Sequence, residues 1–128
     1  MKKKAHEVRE STNKKLDSNK LSVLFTVVNR NKADYFVDLI QSFRVNVQMG
    51  LFARGTASKA TLAYLGLVST EKTVIVSIVR EDEVQPILDA LEEKFNSIKD
   101  GKGIAYTVPM TALIGVAAYG FLSDNRNK

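Results

Sequence analysis

The order in which strand-like and helix-like hydrophobic patterns follow one another is the strongest constraint on how this chain folds. Four segments are rich in β-branched residues or alternate between apolar and polar residues, as strands do. Two others place apolar residues three and four positions apart, which is typical of amphipathic helices. The predicted order is strand 21–28, helix from 32, strand 45–49, strand 73–79, helix 81–95 and strand 104–108.

This βαββαβ order predicts a ferredoxin-like α+β fold with an antiparallel sheet and both helices on one face. Asn31 is expected to cap the first helix. Residues 56–66 are predicted to form a short helix or a structured loop, and a short C-terminal element is expected at 114–119. The strands carry apolar residues on both faces, so the sheet face without helices needs cover. A homo-oligomer in which sheets pack together would provide it.

Charge is unevenly distributed along the 128 residues. Residues 1–20 carry seven basic side chains against three acidic ones, whereas residues 21–123 carry ten of each. We therefore predict a basic, disordered tail at 1–20, one domain at 21–122 and a polar tail at 123–128. Because the domain itself is neutral, a nucleic-acid partner is not expected.

The sequence gives no sign of secretion, disulfides or a membrane anchor. The chain has no cysteine, which is compatible with a reducing compartment. Residues 103–122 form an uncharged run of 20 residues, but Pro109 and three glycines interrupt it. Two buried elements joined at Pro109 fit this run better than a membrane span does.

Catalytic and metal-binding patterns are equally scarce. The carboxylates at 81–83 and 92–93 fit a charged helix start and an exposed helix face better than acid–base chemistry. His6, the one histidine, has no partner at metal-ligand spacing. The sequence therefore indicates recognition or regulation, and no enzyme is expected.

Two turns that contain glycine lie next to predicted strands. Asp100-Gly101-Lys102-Gly103 precedes the last strand, and Ala53-Arg54-Gly55-Thr56 follows the second. Backbone N–H groups in such turns can hold phosphate oxygens, with Lys99 or Lys102 adding charge. Plain glycine-rich turns are the alternative, because no Walker pattern is present.

Over about residues 21–119 the sequence resembles the PII nitrogen-regulatory signal-transduction family. The resemblance is to a divergent, PII-like member of that family. The resemblance rests on the βαββαβ order, the loop after the second strand and the segment 101–109. It implies a homotrimer with adenine nucleotide, sometimes with 2-oxoglutarate, bound in clefts between subunits. It also implies a loop after the second strand that docks onto a partner protein.

The family's functional residues are only partly matched. Gly101 and Gly103 match glycines of the loop that touches nucleotide phosphates, and Gly55 matches the glycine at the base of the docking loop. Ile104 replaces the phosphate-binding lysine in an ungapped alignment, and the arginines near the family's C-terminus have no counterpart in 112–119. Tyr64 is not a credible match to the tyrosine that some members uridylylate. These losses favour AMP or ADP over ATP.

The resemblance implies a cytoplasmic trimeric regulator that senses a small effector, such as an adenine nucleotide, and needs no cofactor. Its partners would be itself and an unidentified regulated protein, with a membrane reached only through a membrane-protein partner. A ligand-free structural or interaction trimer is one alternative, and a CutA-like divalent-ion-tolerance protein is another. The expected ligand-binding residues are Arg54, Gly55, Thr56, Gly101, Lys102 and Gly103, and the expected partner-binding residues are Ser58, Lys59 and Tyr64.

Overall fold

The computed structural model describes residues 20–56, 58, 60 and 70–122. The predicted tails, apart from Lys20, and most of the 56–66 segment, with Lys59 and Tyr64, lie outside the described residues. The elements are β1 (Leu21–Asn29), a 3-10 turn (Arg30–Lys32), α1 (Ala33–Gln41), β2 (Val47–Arg54), β3 (Glu71–Arg80), α2 (Glu81–Ser97), β4 (Gly103–Pro109) and α3 (Val116–Leu122). The predicted βαββαβ order and α+β class are confirmed.

The four strands form one antiparallel sheet in the order β2-β3-β1-β4. β1 and β3 are the inner strands, so β2 and β4 are its edges. In the centre Thr26 lies opposite Ile75 on β3 and Ala105 on β4. Since side chains alternate between faces along a strand, this register assigns every strand residue to one of two faces.

Both helices pack on the same side of the sheet, which we call the helix face. α1 contributes Phe36 and Ile40, and α2 contributes Ile87 and Leu91; all four are buried. They meet Leu24, Val28, Ile75 and Val79 of the sheet in one apolar cluster. Burial of each such side chain stabilises the fold by about 1.5–3 kcal/mol, so this cluster is the main core.

The opposite side of the sheet, which we call the open face, is apolar but largely uncovered. Phe25 and Tyr106 stack there with ring centroids 5.1 Å apart. Helix α3 covers one end of it, where Tyr119 buries Leu21. Beyond α3, large apolar side chains are about half exposed or more, among them Met49, Leu51, Ile104, Tyr106 and Val108.

Two local predictions were wrong. The strand predicted to start at residue 45 starts at Val47 instead, and it ends at Arg54. Arg44 has a φ of 64°, and this left-handed residue turns Val45 into the helix-face core before the strand starts. Asn31 does not cap α1, because it lies within the 3-10 turn and the N-cap residue is Lys32.

Candidate functional site

The two glycine-bearing turns lie at the same end of the sheet but at opposite edges. Arg54 pairs with Glu71 at the start of β3, and Gly103 pairs with Val28 near the end of β1. Two strands separate β2 from β4, so the turns are roughly 14 Å apart at about 4.8 Å per strand spacing. Within one chain they do not touch each other.

Gly101 and Gly103 are required by the packing of this chain. A Cβ atom at Gly101 would lie 2.9 Å from the Cβ of Ile98, and one at Gly103 would lie 2.7 Å from the carbonyl oxygen of Val27. The Gly103 position also faces the Phe95 ring at 2.8 Å. The close backbone approach expected from the sequence is therefore an approach to the chain itself, and contact with a ligand stays a prediction.

Gly55 is different, because nothing in the described residues demands a glycine there. An added Cβ would meet only Thr70, at 3.7 Å, which is an ordinary contact. The Gly55 N–H donates a 2.7 Å hydrogen bond to the Thr70 carbonyl and closes the base of the loop. Thr56 and Ser58, just beyond this closure, are exposed.

A polar network that the sequence did not reveal fixes the turn before β4. Asp100 has a φ of 59°, and its carbonyl oxygen accepts a 2.7 Å hydrogen bond from the Asn29 Nδ2. The ammonium of Lys72 donates to the Oδ1 of the same buried Asn29. Asn29 is the last residue of β1 and Lys72 is near the start of β3, and only the strand register shows that they face each other.

Arg30 joins this network to the other edge of the sheet. Its NH2 group donates a 3.1 Å hydrogen bond to the Ala53 carbonyl, and its guanidinium lies 4.5 Å from the centre of the Phe52 ring. The Arg30 Nε is buried and has no hydrogen-bond partner among the described residues. A donor in that position is able to bind an anion or water.

The cations at this end outnumber the carboxylates. Arg30, Arg54, Lys72, Lys99 and Lys102 lie on the elements that meet here, against Glu71 and Asp100. Burial lowers the pKa of the Lys72 ammonium, because part of its hydration is lost. A bound anion would offset that loss, so this end of the sheet is suited to a phosphate or carboxylate group.

The described residues contain no group of three or more His, Asp or Glu side chains placed to hold a metal ion. Asp82, from the carboxylate run at the start of α2, is held by Arg80 through two hydrogen bonds of 3.0 and 2.6 Å. None of the helices in the described part of the chain is both long and apolar enough to span a bilayer.

The fold is shared with solved structures of PII-like proteins. CPII, a nitrogen regulatory PII-like protein from Thiomonas intermedia bound to ADP, AMP and bicarbonate, superposes with a TM-score of 0.59 at 15% identity, over 76% of this chain and 97% of CPII. A putative PII-like signaling protein from Thermus thermophilus gives 0.55 at 19% identity, over 71% and 86%. The GlnK–ATP complex of B. subtilis gives 0.57 at 13% identity, over 77% and 88%.

These similarities confirm the expected PII-like fold, and at such identities they speak for the fold alone. No protein-family model matches the sequence. No curated protein matches it either.

Proposed function

We propose that this chain is the subunit of a PII-like trimeric regulator that binds a small anionic effector in clefts between subunits. The observation that carries the proposal is the cationic end of the sheet, where Arg30 binds the Ala53 carbonyl of one glycine-bearing turn and Lys72 is linked to the other turn through Asn29. The effector class is an adenine nucleotide, as in the CPII and GlnK structures. The protein acts by binding and has no catalytic step.

The uncovered sheet face supports the oligomer. Side chains such as Leu51, Ile104 and Tyr106 are 52%, 60% and 48% exposed. Covering the rest of each would stabilise an assembly by about 1 kcal/mol per side chain. Three copies that cover one another's open faces would bring the Gly55 turn of one chain near the Gly101–Gly103 turn of the next.

The charges at the site favour AMP or ADP over ATP. In an ungapped alignment Ile104 stands where the family has its phosphate-binding lysine, and in that alignment the cations come from other elements of this chain. Arg30 and Lys72 are held by the fold, whereas Arg54 and Lys102 are exposed. Binding would order the loop that starts at Gly55 and change its affinity for a partner protein in the cytoplasm, through Ser58, Lys59 and Tyr64.

Isothermal titration with AMP, ADP and ATP tests the proposal. Gly55→Ala should weaken nucleotide binding about tenfold by steric exclusion, since about 1.4 kcal/mol corresponds to tenfold. Lys102→Gln should weaken it about tenfold by removing a charge-assisted contact. Replacing Gly101 or Gly103 is a poor test, because both substitutions would disturb packing.

Matched controls lie in the neighbouring elements β2 and α2. Gly50→Ala adds a Cβ that meets only Thr73 at 3.7 Å, and Lys94→Gln removes a partly buried charge on α2 that pairs with Glu93 at 3.8 Å. Both should leave nucleotide affinity unchanged. If none of the three nucleotides binds at millimolar concentration, the effector proposal fails.

A ligand-free interaction trimer is the second candidate, and one observation favours it. Internal packing explains Gly101 and Gly103 fully, so the turn before β4 needs no ligand to account for its sequence. A trimer that binds no nucleotide and no divalent cation would support this candidate. A shift with divalent cations alone would support the CutA-like alternative.

A further inference from the structure

Strand β2 carries a large aromatic ring that its own chain leaves uncovered. Phe52 pairs with Thr73, which pairs in turn with the core residue Val28, so the Phe52 side chain lies on the helix face. The Phe52 side chain is nevertheless 80% exposed. The Arg30 guanidinium packs against its ring, 4.5 Å from the ring centre. Aromatic residues and arginines are enriched at the centres of protein interfaces, so this pair marks a contact surface.

A groove that fits such a ring lies at the other edge of the sheet, between α2 and β4. It has a volume of about 370 Å³. Leu88 and Phe95 of α2, together with Ile104, form its apolar wall. Gly103 and Ala105 line it from β4, and their small size leaves room for an aromatic side chain. An apolar groove beside a free strand edge is a common site for a second strand and its side chains.

The charges at the two edges are opposite in sign. Asp89 and Glu92, which we call the acidic rim, are exposed lining residues of the groove, and its described lining includes no lysine or arginine. Helix α2 as a whole carries six carboxylates and one lysine. On β2, Arg54 follows Phe52 on the same face, and Arg30 packs against the ring. Such complementarity favours contact between these two edges over contact between two like edges.

The strand directions also fit this contact. Each strand of the sheet is antiparallel to its neighbours, so the edge strands β2 and β4 run in opposite directions. An antiparallel contact between β4 of one chain and β2 of another continues this alternation and keeps the helix faces of both chains on one side. The register places Phe52, Thr73, Val28 and Gly103 in one row across the sheet. Phe52 and the groove therefore lie at the same end of the sheet.

We propose that Phe52 of one chain inserts into the groove between α2 and β4 of the next chain, with the arginines beside it facing the acidic rim. The contact rests on the trimer of the proposed function and specifies which surfaces join its subunits. Because Arg30 packs against Phe52, insertion also brings this guanidinium to the Gly101–Gly103 turn of the next chain. The effector cleft is therefore incomplete without the neighbouring chain.

Disulfide trapping between two kinds of chain tests this contact. The protein has no cysteine, so each chain carries only the one that is introduced. Gly50→Cys places a thiol on the helix side of β2, two residues before Phe52, where an added Cβ meets only Thr73 at 3.7 Å. Gln85→Cys places the second thiol in the groove lining. The matched control for it is Gln41→Cys, because Gln41 is also an exposed glutamine on a helix, but on α1.

The two chains of each pair are refolded together before oxidation. Gly50→Cys with Gln85→Cys should form its mixed disulfide at least about tenfold faster than Gly50→Cys with Gln41→Cys, because the contact raises the effective concentration of the thiols. Adding Phe52→Ala to the Gly50→Cys chain should remove about tenfold of that rate, as expected for the loss of a central interface residue. Phe52→Leu should retain most of the rate, because it keeps an apolar side chain in the groove.

Charge reversal and sedimentation complete the test. Asp89→Lys with Glu92→Lys in the Gln85→Cys chain should slow the mixed disulfide, whereas Asp34→Lys with Asp38→Lys on α1 should not. Sedimentation of the same mixtures distinguishes the two ways of failing. A trimer in which test and control pairs react equally fast would overturn this contact and leave the trimer of the proposed function standing. A single chain would overturn both.

Discussion

The two faces of the sheet carry similar apolar residues but differ in how much of their surface is exposed to solvent. On the helix face, Leu24, Val28 and Ile75 are at most 1% exposed, because α1 and α2 cover them. On the open face, the apolar residues of β1 and β3 are only partly buried, and those of the edge strands β2 and β4, such as Leu51 and Ile104, keep about half of their surface or more. The helix face is therefore covered by helices of the same chain, whereas the exposed apolar residues of the open face indicate that another surface covers it.

The largest effect that we expect is on the free energy of unfolding. Substitutions on the two faces should differ in whether their cost depends on protein concentration. Phe36→Ala removes a fully buried ring from the helix face and should lower the free energy of unfolding by about 4 kcal/mol. Tyr106→Ala on the open face should cost about 1 kcal/mol in a single chain, and more where copies cover it.

Urea unfolding at low and high protein concentration measures both costs. The cost of Phe36→Ala should be the same at both concentrations. The cost of Tyr106→Ala should grow as concentration rises, because only the assembled form buries that ring. A Tyr106→Ala cost independent of concentration would mean that the open face stays exposed.

A smaller effect is expected where the helix face meets the turn before β4. Gly103→Ala places a Cβ within 3 Å of the Val27 carbonyl and the Phe95 ring, and should destabilise the fold by about 2 kcal/mol. Gly50→Ala, on the same face at the other edge, should change stability by less than about 0.5 kcal/mol. Thermal or urea unfolding compares the two, and equal stabilities would show that the β4 end is loosely packed.

The smallest effect concerns the covered end of the open face. Burial raises the pKa of the Tyr119 phenol, and the charge of Arg80 opposes this. The unfolded chain therefore loses the phenolic proton first as pH rises, and stability falls above the ordinary tyrosine pKa of 10.0. Ultraviolet titration of the wild type against Tyr119→Phe should show one tyrosine that ionises late; its absence would contradict the burial of Tyr119 between α3 and the sheet.

Sequence patterns predicted the fold well because they reflect local geometry. The β-branched runs became β1, β3 and β4, and the helical spacing became α1 and α2, since each pattern matches the period of its element. The start of β2 was misplaced because Arg44 adopts a left-handed conformation that no hydrophobic pattern encodes.

The candidate site was less predictable because its contacts join distant parts of the chain. Asn29 meets Asp100 across 71 positions and Lys72 across 43, so neither partner is visible until the strands are paired. Gly101 and Gly103 were identified from the sequence, but the atoms that require them belong to Ile98, Val27 and Phe95. Local spacing was enough to identify the turn, but only the fold shows why the turn needs glycine at these two positions.

Sedimentation velocity of the wild-type chain at micromolar concentration tests whether copies of the chain bury one another's open faces. We expect a single species with the mass of three chains, and we expect Tyr106→Asp to dissociate it. A stable, well-behaved single chain at that concentration would contradict it.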